Sequence, residues 1–397
     1  MSNDRSKRLL LVIAYIGFVS LGLPDAVIGV AWPSVRDFFE LDQAALGLVL
    51  IGSGCGYFLS SFFTGRLLHG LGIGLLLTVS SGLVAAGLLG YSLTPFWFAF
   101  LGCAVLHGLG SGAIDGALNS YAAHQLSARH MNWLHACYCL GAMLGPLVMT
   151  GTLASGRSWR AGYAVLGTAL WLLSALFLVT SRLWGQAGTA DSHAGNGGMR
   201  AALKLPLVWL QMAVFFLYTG LEVTVGQWTF TLFTEARGAS DEAAGLWVSV
   251  YWGSIGVGRV LFGLVVDRIG ADPLLRGALL AALAGTLLLA FGPAWLPFAG
   301  LALIGLALAP VYPCLMTRTP QRLGVHAAHA VGFQVSAAML GAAALPGTAG
   351  LFGERWGLET IAKFAVGLAA GLWLLHEVLL ASSPATAAEA RASCDRL

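Results

Sequence analysis

The sequence predicts an all-α membrane protein in which twelve transmembrane helices form two related halves of six. Of the 397 residues, 57% are hydrophobic and only 10% are charged, whereas a soluble globular domain carries about 25% charged residues. The mean hydropathy is +0.79. Apolar runs of about 20 residues, long enough to cross a bilayer, recur along the whole chain. A polar gap rich in Gly and Ala lies at the midpoint and separates six such runs from six others.

Each apolar run defines one predicted span, numbered 1 to 12 along the chain. The first half, residues 1–182, holds spans near 9–32, 44–66, 71–92, 96–122, 132–154 and 160–182. Residues 183–205 are predicted to be a flexible cytoplasmic linker, because small and polar residues interrupt the apolar pattern there. The second half, residues 206–397, holds spans near 206–233, 243–266, 274–292, 295–317, 325–350 and 356–381, followed by a short cytoplasmic tail.

The two halves repeat one another in sequence. Three glycines of the first half, Gly47, Gly65 and Gly72, recur 198 residues later as Gly245, Gly263 and Gly270. Likewise, the run Ala142–Gly145 in span 5 returns as Ala338–Gly341 in span 11, and Gly22–Asp25 in span 1 is echoed by Gly220–Glu222 in span 7. Matches in the same order indicate a duplicated six-helix unit. Parallel-repeat transporters are built in this way, with the binding site between the halves near the midplane.

The distribution of positive charge predicts the orientation of the chain. Most Lys and Arg residues fall on the side of the two termini, so the positive-inside rule places both termini in the cytoplasm. The N-terminal MSNDRSKR leads into span 1 without a small-residue cleavage site, and we expect an uncleaved first helix in the inner membrane of a bacterium. The positive residues form no basic face, which excludes a nucleic-acid partner. The six cysteines have neither disulfide nor metal spacing.

Polar residues of spans 4 and 5 predict a pathway for a polar solute. In span 4 they recur every four residues and share one helix face: His107, Ser111, Asp115 and Asn119. In span 5 they repeat at spacings of three and four: Asn132, His135 and Cys139. A carboxylic acid in an apolar helix costs on the order of 3 kcal/mol in lipid, so this face must turn towards protein or a water-filled cavity. The alternative for Asp115 is a bond that only joins two helices.

Two further acids lie inside apolar spans, Asp25 in span 1 and Glu222 in span 7. Either acid could accept sugar hydroxyls when ionised and bind a proton when the site closes. Neighbouring side chains offer the flat aromatic face and the hydroxyl partners that a sugar site needs: Trp32, Tyr218, Gln227 and Trp228, with Gln334 in span 11 as a further candidate. The alternatives are an acid at the outer rim, tryptophans that only anchor the interface, and an amide that only packs.

Two basic residues also lie within the spans. A neutral His107 that is hydrogen-bonded between helices is favoured over a proton relay. Arg259 in span 8 is expected to extend its charged end to the cytoplasmic face rather than to pair with a buried acid.

The loop after span 8 resembles the signature of the major facilitator superfamily. Residues 263–270 read GLVVDRIG, and the resemblance implies a conformational role for Gly263, Asp267, Arg268 and Gly270. The equivalent loop after span 2, residues 65–72, reads GRLLHGLG and has His69 where the family has Asp. This departure implies a weaker conformational latch in the first half.

Within that superfamily, several segments are similar to the fucose:proton symporter and bacterial glucose/galactose carrier group. They are Asp25, the runs Asp115–Asn119 and Asn132–His135, and the set Glu222, Gly226 and Trp228. The resemblance implies that Asp25 and Asp115 match two membrane carboxylates, one of them linked to proton coupling. It also implies that Asn132 or His135 stands near an amide that contacts sugar.

These inferences predict a secondary transporter, rather than a receptor or an enzyme, for which no nucleophile–base pair is found. The predicted function is hexose:proton symport by alternating access, with proton coupling by Asp25, Asp115 and Glu222. The residues predicted to bind the solute are Asn119, Asn132, His135, Tyr218, Gln227, Trp32, Trp228 and Gln334. Proton-coupled export of drugs or metabolites is the alternative, because the Gly141–Pro146 motif of span 5 also marks antiporters of the superfamily. Sodium is the less favoured ion, and we expect a monomer without cofactor or metal.

Overall fold

The computed structural model describes residues 2–126, 128–184, 199–293 and 295–382, except for the side chains of residues 2–7, 123, 124, 128, 129, 131, 132, 267 and 328. Within this part of the chain, twelve helical spans are long and apolar enough to cross a membrane. The predicted all-α membrane class is therefore confirmed. Most of the predicted linker and the C-terminal tail lie outside the described residues.

The spans of the first half are single helices apart from span 1, which is two. They run Ser2–Asp25 and Val27–Phe39 in span 1, then Leu46–Leu71, Ile73–Leu93, Trp97–Gln125, Ala128–Ala154 and Trp159–Thr180 in spans 2 to 6. A short helix, Met199–Ala202, precedes the second half. Its spans 7 to 12 run Pro206–Thr231, Asp241–Ile269, Ala271–Phe291, Leu296–Leu308 with Val311–Leu323, Ala327–Trp356, and Glu359–Ser382.

Spans 1 and 10 depart from the predicted boundaries. Span 1 does not end near residue 32 but continues to Phe39, because Pro33 lies inside its second helix without ending it. The helix of span 1 is instead interrupted at Ala26, two residues after Pro24, and sharp bends in helices commonly lie near a proline. Span 10 is likewise divided at Pro310 and ends at Leu323 rather than near residue 317.

Equivalent glycines have the same structural roles in both halves. Gly72 and Gly270 end spans 2 and 8 with φ of 74° and 86°, a left-handed conformation that disfavours residues with a Cβ. Gly145 of span 5 packs on the carbonyl of Leu23, and Gly341 of span 11 packs on the carbonyl of Phe216. Spans 5 and 11 thus contact spans 1 and 7 in the same way, which agrees with two six-helix repeats.

The halves meet along three pairs of spans, 1 with 7, 2 with 11, and 5 with 8. Small residues allow these helices to approach closely. A Cβ at Gly47 of span 2 would lie 2.8 Å from the Cα of Gly347 in span 11, and a side chain at Gly245 of span 8 would collide with Thr150 of span 5.

Polar bonds between the halves lie at the end of the bundle opposite the two termini, here called the distal end. Arg36 Nη1 at the end of span 1 donates to Glu235 Oε2 after span 7 over 3.0 Å. Gln43 Nε2 donates to the same oxygen over 3.0 Å, and the backbone N–H of Ala44 donates to Glu354 Oε2 over 3.3 Å. We call these five residues the distal gate. They hold the two halves together at this end.

Candidate functional site

The polar face of span 4 turns towards span 2 in the first half. Asp115 accepts the hydroxyl of Tyr57 at 2.7 Å on one oxygen and the amide of Asn119 at 2.8 Å on the other. His107, two turns earlier, is buried and pairs its Nδ1 with Ser53 Oγ at 3.4 Å. The expected bond from His107 to another helix is therefore confirmed, and each oxygen of Asp115 already has one partner.

Asp25 lies at the break in span 1, beside this face. Its carboxylate accepts the Tyr138 hydroxyl of span 5 at 2.8 Å, and His107 Nε2 lies 3.8 Å from its other oxygen. The side chain of Asp25 is still 33% exposed, so it borders open space. Asp25 also interacts electrostatically with Asp115. The two acids of the first half therefore belong to one cluster.

Glu222 forms the matching group in the second half. Its side chain is buried and accepts the hydroxyl of Tyr218, one turn earlier, at 2.5 Å. Its backbone carbonyl accepts the hydroxyl of Tyr251 in span 8 at 2.8 Å. This carbonyl is held in addition to the ordinary helical bond of span 7, which fixes the position of Glu222 relative to span 8.

Two tyrosines connect the clusters of the two halves electrostatically. Tyr138 of span 5 interacts with Asp25 and with Glu222, and Tyr312 of span 10 interacts with Asp115 and with Glu222. The three acids therefore lie near one another in the region between the halves, which we call the central space. Gln227 of span 7 closes one side of this space, because its amide donates to the backbone carbonyl of Asp25 at 2.8 Å.

Arg259 of span 8 also belongs to the central space, contrary to the expectation that it extends to the membrane surface. Its Nε is buried, and the guanidinium interacts electrostatically with Glu222 and Tyr218 of span 7 and with Tyr138 and Cys139 of span 5. Span 8 continues ten residues beyond Arg259 to Ile269, or about 15 Å at the helical rise. That distance is too long for the side chain to reach the helix end.

The other predicted solute-binding residues differ in their surroundings. His135 is half-buried, its ring packs edge-on against Phe18 at 5.5 Å between centroids, and it interacts electrostatically with Arg259. Trp32 is fully buried and donates to Gln43 Oε1 over 3.2 Å. Trp228 is buried and donates to the carbonyl of Pro346 over 2.8 Å. Neither indole faces open space in this conformation, since both pack beside the distal gate.

Gln334 lies towards the opposite end, in a buried chain of side chains within the second half. Its amide donates to Gln211 Oε1 at 2.5 Å, and its oxygen accepts the Thr319 hydroxyl at 3.1 Å. In the loop motif, Gly263 is exposed with open space around it, and Arg268 is exposed. The side chains of Asn132 and Asp267 lie outside the described residues.

The sequence reasoning missed three tyrosines that bond the acids or their backbone: Tyr57, Tyr138 and Tyr251. A tyrosine in an apolar span usually signals an interfacial position. Their distance from the ends of their spans could have identified them, because a hydroxyl inside an apolar span needs a hydrogen-bond partner.

The sequence matches the family model of the Major Facilitator Superfamily over residues 14–323 and 228–395. These ranges include every helix that contributes to the central space. The chain belongs to the Major Facilitator Superfamily. Its members are transporters and not enzymes, and the central space between the two halves is the place where such a fold holds its cargo.

Two curated relatives are similar to the chain at low sequence identity. It is 25% identical to human Sodium-dependent glucose transporter 1 over 92% of this chain and 78% of that protein. It is 23% identical to Bypass of stop codon protein 6 of Saccharomyces cerevisiae, over 66% of this chain and 58% of that protein. The chain thus spans less than two thirds of the yeast relative.

Two crystal structures share the fold at low sequence identity. A mutant of the nucleoside transporter NupG matches with a TM-score of 0.75 at 13% identity, over 94% of this chain and 99% of that one. A variant of the Escherichia coli fucose:proton symporter FucP matches with a TM-score of 0.63 at 16% identity, again over 94% and 99%. These likenesses establish the fold of this chain.

Proposed function

We propose that this superfamily member is a secondary active transporter that carries a hexose-like sugar together with a proton by alternating access. The observation that supports this most strongly is the convergence of Asp25, Asp115 and Glu222 on one central space. Membrane carboxyl groups that face a cavity are typical of proton and substrate pathways. Each of them accepts a hydrogen bond from a neutral tyrosine hydroxyl.

A sugar suits this space because its hydroxyl groups need many partners that both donate and accept. Asn119, His135, Tyr218 and Gln227 supply such groups from spans 4, 5 and 7. The similarity over 92% of the chain to a protein named as a glucose transporter points in the same direction. Asn132 remains a proposed contact on the strength of its place in span 5.

Asp25 is the proposed site of proton exchange. It combines partial exposure to open space with a bond to Tyr138 and proximity to His107. It also lies at a helix break whose carbonyl is bonded by the other half. A change of charge at Asp25 therefore acts on the contact between the halves. Sodium is the less favoured ion.

The proposed membrane is the inner membrane of a bacterium, with both termini in the cytoplasm, because Lys and Arg accumulate on that side. In this orientation the distal gate closes the outer face. The conformation is then the one that exchanges solute with the cytoplasm.

Export of drugs was the alternative suggested by the glycine–proline motif of span 5. Gly141 and Gly145 of that motif pack against the backbone carbonyls of Val19 and Leu23 in span 1. Helix packing is thus a sufficient reason for both glycines, and the motif does not favour export.

Counterflow in proteoliposomes tests the proposal. Vesicles loaded with unlabelled glucose, galactose or fucose are expected to accumulate the labelled sugar transiently. In weakly buffered, sodium-free medium, addition of the transported sugar outside is expected to alkalinise that medium. Counterflow of lipophilic drugs but of no sugar would contradict a sugar as the substrate. Uptake that strictly requires sodium would contradict a proton as the coupling ion.

A further inference from the structure

Arg259 is directed towards the interface between the halves by the way span 8 packs. One turn before it, Gly256 lies against Cys139 of span 5, where an added Cβ would come within 2.9 Å of the cysteine Cβ. Another turn earlier, Gly253 lies against Met143 of span 5, at 3.0 Å from its sulfur. Residues three and four apart share a helix face. Arg259 therefore continues the face of span 8 that meets the other half.

The guanidinium of Arg259 makes no hydrogen bond or ion pair with any residue that the structure describes. Its Nε is buried and has no protein partner, while the residue as a whole is half-buried. Glu222 is near enough to interact electrostatically, but one of its oxygens is taken by Tyr218. Charged groups inside a protein in a membrane are normally paired, because an isolated buried charge is costly. An arginine held here without a bonded partner is arranged to receive one.

Other polar atoms at the same interface also lack partners. Gln227 Oε1 and the indole N–H of Trp252 are buried without a hydrogen bond among the described residues. Trp252 lies two turns before Arg259 in span 8, with its indole against Gly226 of span 7. The unpartnered donors and acceptor thus come from the two neighbouring spans 7 and 8.

We propose that Arg259 binds a carboxylate group of the transported solute, so that a sugar acid such as a hexuronate is preferred to a neutral hexose. This inference rests on the proposed sugar transport. A guanidinium is a planar fork that matches a carboxylate with two parallel bonds. The described residues around the central space include one arginine and no lysine, and a single positive charge balances a monoanionic carboxylate better than a phosphate dianion.

The position of Arg259 beside Glu222 connects anion binding to proton binding. Without solute, the positive charge of Arg259 balances the neighbouring Glu222. A carboxylate of the solute that bonds Arg259 uses that positive charge instead. Two carboxylates beside one arginine repel each other unless a proton neutralises one of them. A proton on Glu222 restores the balance, so binding of the anion favours protonation there, while Asp25 remains the proposed site at which the proton is exchanged.

The test compares acidic and neutral sugars on purified variants of the full chain. Glucuronate, galacturonate, glucose and galactose are titrated while the melting temperature in detergent is followed, and the same compounds are used in counterflow. We expect the two uronates to bind more tightly than the neutral sugars. Arg259→Gln should weaken uronate binding about tenfold or more, Arg259→Lys should weaken it less, and the affinity for neutral sugars should change little.

Arg276→Gln is the matched control. It removes an arginine of the same half that is 54% exposed and bonded to Glu377, away from the central space, and it should leave uronate affinity unchanged.

Three results would overturn the inference. If neutral hexoses bind tightly and uronates do not bind, the role of Arg259 is refuted, while the proposed sugar transport still stands. Equal weakening of acidic and neutral sugars in Arg259→Gln would show that Arg259 only balances Glu222. Exchange of neither class of sugar by well-folded protein would contradict the proposed function, and this inference with it.

Discussion

The distal gate offers the sharpest test of how the two halves are held together. Glu235 Oε2 accepts from Arg36 and from Gln43, both over 3.0 Å and both from the other half. Glu235→Gln keeps the shape of the side chain and removes its charge. We expect the variant to spend more time open at the distal end.

The size of the effect follows from the exposure of the gate. Arg36 and Glu235 side chains are 17% and 27% exposed, so the pair is neither fully solvated nor buried. Hydrogen bonds to a charged group are roughly twice as strong as neutral ones, while surface ion pairs contribute only about 0–1 kcal/mol. A loss of about 1 kcal/mol is therefore expected, which changes the ratio of closed to open states about fivefold.

Spin labels placed in the two halves measure this ratio. Cysteines replacing Arg157 and Glu242, both exposed at the distal end, report its opening by pulsed electron resonance once the native cysteines have been removed. The difference between wild type and variant should shrink at high salt, because exposed charges are screened.

Asp37→Asn is the matched control for the gate. Asp37 also bonds Arg36, at 2.8 Å, but belongs to the same helix and is 69% exposed. It does not connect the halves, so its loss should leave the distance distribution unchanged. An equal shift in both variants, or none in Glu235→Gln, would refute the assignment of the gate to the contact between Arg36 and Glu235.

Two further predictions concern polar residues of the central space, Asp25 and Asn119. Asp25→Asn should abolish accumulation of solute against a gradient and leave exchange between equal pools, since the amide cannot carry the proton; concentrative uptake by this variant in proteoliposomes would remove Asp25 from coupling. Asn119→Ala should lower solute affinity about tenfold to a hundredfold, because one hydrogen bond to a buried hydroxyl is lost at a cost on the order of 1–3 kcal/mol. A lower melting temperature with unchanged affinity would mean that Asn119 serves only to bond Asp115.

The sequence predicted those parts of the site that lie on one helix. The spacing of Asp115 and Asn119 placed them one turn apart, and the structure joins them by a bond of 2.8 Å. The equivalence of Gly72 and Gly270 was also predicted from the sequence repeat. Both have a positive φ at the ends of spans 2 and 8. Local periodicity is sufficient for such inferences because a helix fixes which residues share a face.

Contacts between helices were not predictable in the same way. The hydroxyls of Tyr57 and Tyr138 reach Asp115 and Asp25 from other spans, and no spacing within one segment records that. Arg259 was expected at the membrane surface because an isolated cation in an apolar span usually extends to the interface, and the groups it interacts with lie on spans 5 and 7. Which partner helix a residue meets also depends on which end of the bundle is closed.

Asp25 is the point at which the chemistry of the site and the contact between the halves coincide. The break after Pro24 leaves its backbone carbonyl free to accept the amide of Gln227 from the other half, while its carboxylate faces Tyr138 and His107 within its own half. Separation of spans 1 and 7 at the distal end would take Gln227 away from this carbonyl. In the proposed proton exchange at Asp25, a change in the charge of the carboxylate would act on the same short segment of backbone. Proton binding and opening of the distal gate would then act on one residue, and a change in either would alter the free energy of the other.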